Sequence, residues 1–186
     1  MDEEYLEDFE SKLEKELLEI CTSHKLLDGT LLTSDDIDEL WNGLANEYIA
    51  DAAKELTDYP GVAVSWAAYL GMAVAAGWDR DWEGCKKTPY KNYYGPNGFD
   101  DMDDHIVTDI LHIELGGPES KKINDALLSC SETAISMIRH EKIEPQSVMA
   151  LNVFSRTVKV MFRIGASIEL FRLGYKFERI DQCRLS

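Results

Sequence analysis

Residues 145–174 read PQSVMALNVFSRTVKVMFRIGASIELFRLG, and this stretch decides the fold. Its leading Pro suits a first helical turn, where the missing N–H has no partner to lose, and its closing Gly suits the end of a helix. At about 100° per residue, Val148, Met149, Leu151, Val153, Phe154, Val158, Val160, Met161, Phe162, Ile164, Ile168 and Phe171 occupy most of the circumference. A helix that is apolar nearly all round has to be covered on all sides, so the spacing predicts a long central C-terminal helix with the others packed about it.

Residues 4–26 repeat Leu6, Phe9, Leu13, Leu17, Ile20 and His24/Leu27 in steps of three and four, with Glu and Lys on the opposite face, which predicts an amphipathic helix. Thr33 or Ser34 ahead of Asp35 and Asp36 reads as an N-cap with carboxylates at the positive end of the helix dipole. The helix that follows, to about Asp58, has a stripe of Ile37, Leu40, Trp41, Leu44 and Tyr48 that turns toward Ile49, Ala52, Ala53 and Leu56, predicting two neighbours. Pro60 opens a third helix. Its run from Val62 to Trp78 contains Ser65 as the one strongly polar residue, but eight of its residues are Ala or Gly. A bilayer asks for roughly 20 predominantly apolar residues, and the flanking charges show no positive-inside bias, so a buried core helix is expected.

From Asp79 to Gly98 no period appears, and Gly, Pro and Asn punctuate the segment. Asp100 reads as the cap of a fourth helix to about Leu115, and Gly116-Gly117-Pro118 starts a fifth that carries Ile123, Leu127, Cys130, Ala134 and Met137/Ile138. No strand-like alternation, repeat or linker interrupts the chain. The expectation is one all-α domain over residues 1–186, a bundle of about six helices with an aromatic-rich loop between the third and fourth.

The 186 residues carry 35 acidic and 19 basic side chains, a formal net charge of -16. That field repels phosphate backbones and anionic lipid, which argues against nucleic acid and membrane as partners. The acidic first ten residues do not resemble a secretory signal, and Cys21, Cys85, Cys130 and Cys183 form no CxxC pair. A cytoplasmic protein with free thiols is expected.

Three constellations could carry function. On a helix, Asp101, His105 and His112 share one face with Asp109 at its margin, and Asp109-x-x-His112 has the i, i+3 spacing of bundle-core metal sites. Glu47 and Asp51, i, i+4 on the second helix, could complete a set for a divalent transition metal, the one cofactor the sequence hints at. The same Asp/His face is also what the solvated side of an amphipathic helix looks like. Trp82, Tyr90, Tyr93 and Tyr94 make the 79–98 loop a candidate lid over a pocket near Asp101, Asp104 and His105, or simply a cap on the bundle. Arg156, Lys159 and Arg163 form a narrow basic stripe that could hold an anion or meet an acidic helix of this chain or a second copy.

No catalytic signature is present. The expected function is a non-catalytic protein-interaction or assembly module whose partner is a second copy, as a symmetric dimer, or another protein. The alternative is a ligand-binding or metal-dependent helical enzyme with its site between the 100–115 helix and the 79–98 loop.

Overall fold

The computed structural model describes residues 2–176, so Cys183 lies outside the described residues. The main helices are α1 (Asp2–Ser23), α2 (Asp35–Glu55), α3 (Pro60–Arg80), a short α4 (Trp82–Lys86), a single-turn α5 (Met102–His105), α6 (Pro118–His140) and α7 (Val148–Arg172). The architecture is an all-α bundle, with no strand among the described residues.

α1 buries Leu6, Phe9, Leu13, Leu17 and Cys21. Its last step is four residues, so Cys21 rather than Ile20 closes the buried stripe. On α2 the stripe runs straight through Ile37, Trp41, Leu44, Tyr48 and Ala52, while Ala53 and Leu56 stay exposed. The predicted turn of the stripe does not occur. α2 meets two neighbours from one face because its aromatics are long: the Trp41 ring lies 4.8 Å from that of Phe162 on α7, and the Tyr48 hydroxyl donates to the Ala63 carbonyl of α3 at 2.8 Å.

The centre is shared by α3 and α7 rather than held by α7 alone. Gly71 of α3 lies against the Phe162 carbonyl, and Gly165 of α7 lies against the backbone of Ala68, so close that a β-carbon at either glycine would overlap the facing chain. The Ala/Gly content of residues 62–78 is thus the condition for two backbones to touch, and every residue from Ala63 to Ala76 except Trp66 is buried. α7 starts at Val148, later than Pro145. Ser147 caps it by accepting from the Ala150 N–H at 3.0 Å, and Val148 and Leu151 in the first turn remain exposed.

The 79–98 segment is more ordered than its composition suggests. The Asp81 carboxylate caps α4 by accepting from Gly84 N–H, and Tyr90–Tyr93 forms a 3-10 turn. The helix expected over 100–115 is shorter than predicted. A 3-10 turn (Phe99–Asp101) leads into α5, which widens into a π turn (Ile106–Ile110) and stops. Asp100 does not cap it, and no side-chain cap bond is made there. The β-branched run Ile106, Val107, Thr108 and Ile110 is a poor α-helix former, and His112 already has a left-handed backbone with φ 55°. Two arginines from the central helices take the carbonyls released at this end: Arg80 donates to Ile110 and Arg172 to Leu111, each at 3.3 Å.

Candidate functional site

The early end of the π turn removes the proposed metal face. His112 leaves the helix and points to solvent, and Asp109 pairs with His105 instead, with Oδ2 2.8 Å from Nδ1. The other nitrogen of His105 is 3.2 Å from the Asn92 carbonyl. Both ring nitrogens are thus engaged by groups of the chain itself. Asp101 accepts from the Asn97 N–H at 2.9 Å, Glu47 is exposed, and Asp51 is engaged elsewhere. Among the described residues no group of three or more His, Cys, Asp or Glu is arranged to hold a metal ion.

The aromatic loop does fold over α5, as the Asn97–Asp101 bond ahead of its start and the Asn92–His105 contact at its end show, but its tyrosines reach past it. Tyr90 and Tyr94 both donate to Asp51 of α2, Tyr90 at 2.9 Å. Burial and then the Asp51 bond push the Tyr94 hydroxyl up to about 12, and the same two causes raise Tyr90 further. Tyr93 is buried near Cys85, whose thiol burial pushes above its ordinary value in spite of Lys86 and Lys87 alongside. Trp82 is half-buried, with the Lys86 ammonium 5.9 Å from its ring centre. These rings cap the bundle, and they line neither of the two cavities described below.

The basic stripe is met within the chain. Arg156 binds Glu3 and, at 2.7 Å, Glu10; Lys159 binds Glu10 at 2.8 Å; Arg163 binds Glu14 and lies 3.5 Å from Asp38. Burial raises the Glu10 carboxyl, but its bonds to Lys159 and Arg156 outweigh that and hold it below the ordinary value. The stripe is therefore a clamp between α1 and α7. Each of its three cations has a carboxylate partner on α1.

The feature that sequence reasoning missed is a groove between α3 and α6. One half, about 310 Å³, is lined by Tyr59, Val62, Ser65, Trp66, Leu127 and Leu128 and is mostly apolar. It shares Tyr69 and Asn124 with a second half of about 210 Å³, bordered by Asp103, Asp104, Val107, Leu115, Ser120 and Lys121. The Tyr69 hydroxyl faces Asn124 Oδ1 at 3.4 Å across the junction. Tyr59 is 62% exposed, Leu128 50% and Leu115 49%, so three large apolar side chains stand at the groove's rim in water. Burial, with the neighbouring Asp104 and Asp101 charges adding to it, pushes the Asp103 carboxyl up to about 6. The one available signal was Leu128, an apolar residue beside the buried stripe of α6 and not on it. Fold and groove together define an all-α bundle with an open interhelical cleft. Comparison with family models, curated proteins and solved structures finds no match.

Proposed function

We propose that the chain is a non-catalytic protein-interaction module whose α3–α6 groove takes a segment of another protein that carries apolar anchors next to a Lys or Arg. The observation that carries this reading is the exposure of Tyr59, Leu128 and Leu115 along two adjoining hollows that share Tyr69 and Asn124. Exposed apolar side chains gathered in one concave place mark docking surfaces, whereas scattered ones do not. The sign of the partner's charge follows from Asp103 and Asp104 at one end and from the net charge of -16. A basic partner gains from that field, while a second copy brings two strongly acidic chains together. Of the basic last third of the chain, which favours self-association against the acidic first third, Arg156, Lys159 and Arg163 are engaged by α1 of the same chain.

A display library of short peptides selected on the whole chain tests the reading. Selected sequences should share two or more large apolar residues flanked by Lys or Arg, quench Trp66 fluorescence, and lose at least tenfold in affinity against Leu128→Asp. Peptides that bind Leu128→Asp equally well would overturn it. A reducing, cytoplasmic setting fits the buried free thiols of Cys21, Cys85 and Cys130. A polar alkylating reagent should leave these three unmodified in the native chain and label them after denaturation.

A further inference from the structure

A second cavity, of about 270 Å³, lies apart from the groove where the segment after α1 meets the start of α6 and the last turns of α7. Its floor is apolar: Leu26, Ile123 and Ile168 are buried and Phe171 half-buried. Its rim carries Lys25, Lys122, Arg172 and Glu119. The Arg172 guanidinium is already matched, by both oxygens of buried Glu169 at 2.8 and 3.1 Å and by Glu119 at 3.4 Å. The two lysines differ from it. Neither ammonium lies within ion-pair distance of a carboxylate among the described residues, and the Lys122 ammonium donates to the Lys25 carbonyl at 3.3 Å, which draws it to the Lys25 side of the rim.

In a chain of net charge -16, two cations with no carboxylate partner among the described residues stand beside an apolar hollow. We infer that this cavity binds a small organic monoanion with an apolar body, its carboxylate between Lys25 and Lys122 and its hydrocarbon on Leu26, Ile123, Ile168 and Phe171. Size and charge narrow the class. The volume falls just under the ~300 Å³ at which drug-sized pockets begin, so the body is that of a medium-chain or single-ring acid. Glu119 on the rim repels a second negative charge, which disfavours phosphate esters and dicarboxylates. A bare inorganic anion would leave the apolar floor in water. The inference does not depend on the groove.

Calorimetric titration of the full chain with octanoate tests it, with octan-1-ol as the uncharged analogue and inorganic phosphate as the anion without a body. Octanoate should bind at least tenfold more tightly than either. The double variant Lys25→Gln with Lys122→Gln should lose that preference while keeping its helical circular dichroism, and Lys121→Gln, on the groove, should keep it. Absence of octanoate binding, equal binding of octan-1-ol, or undiminished binding by the double variant would each overturn the inference. Should the double variant lose its helical signal, the single variants Lys25→Gln and Lys122→Gln replace it, each expected to weaken octanoate at least threefold, and unchanged affinity in both overturns the inference.

Discussion

The α1–α7 seam and the α3–α6 groove are the same kind of place, a peripheral helix laid against one of the two central ones, and they end differently. At the seam, Glu3, Glu10 and Glu14 meet Arg156, Lys159 and Arg163 around a hollow of about 400 Å³ whose lining is almost wholly charged. At the groove, the flanking helices leave Tyr59 and Leu128 at the rim of an open cleft. A charge pattern conspicuous in the sequence is thus spent on holding the bundle together, and the surface that remains for a partner is marked by apolar side chains with nothing over them. Charge segregation along a chain is by itself a poor guide to an outward-facing site, because the opposite charge is present in the same molecule.

Both places hang on the α3–α7 contact, so the harshest way to break the comparison is Gly165→Ala. The new methyl group overlaps the Ala68 backbone, which has no rotamer to give, and the helices must separate. A loss of about 3 kcal/mol or more is expected in urea unfolding, with seam and groove lost together. Glu10→Gln should cost about 1 kcal/mol at pH 7 and act on the seam alone. Because the folded carboxyl sits below its ordinary value of 4.5, its stabilisation is present above that pH and is lost as pH falls through the folded value. Wild type and variant should therefore converge in acid.

Asp103→Asn sharpens the other side, with the opposite sign. The folded carboxyl is raised to about 6 from its ordinary 3.8, so the fold favours the protonated form, and stability from this group falls as pH rises from about 4 through 6. The amide should stabilise the chain at pH 7 by less than about 1 kcal/mol, discounted for partial exposure, with the gain gone near pH 4 in thermal melts. Weaker capture of a basic peptide by the same variant would tie the carboxyl to the groove. Smallest of all is Tyr59→Ser with Leu128→Ser: stability should stay within about 0.5 kcal/mol, as at other exposed positions, while peptide binding is lost. A large loss of stability there would show the two side chains to be part of the core.

The sequence by itself determined the all-α class and most of the buried stripes, because a helix face is a local property: Leu6, Phe9, Leu13 and Leu17, or Ile123, Leu127 and Cys130, repeat within one element and need no partner to be read. It also carried the small-residue run that lets α3 reach α7. What only the tertiary structure decided was how each face ends and what meets it. The helix after Phe99 opens into a π turn whose last carbonyls are taken by Arg80 and Arg172 from distant segments, and the chain turns away there, leaving His112 outside the helix that carries His105. Asp51 became the anchor of two tyrosines some 40 residues away instead of a metal ligand. The groove arises where the flanks of α3 and α6 fail to close on each other, and a gap between two helices is written in neither helix, since it depends on the angle and distance at which the rest of the bundle holds them.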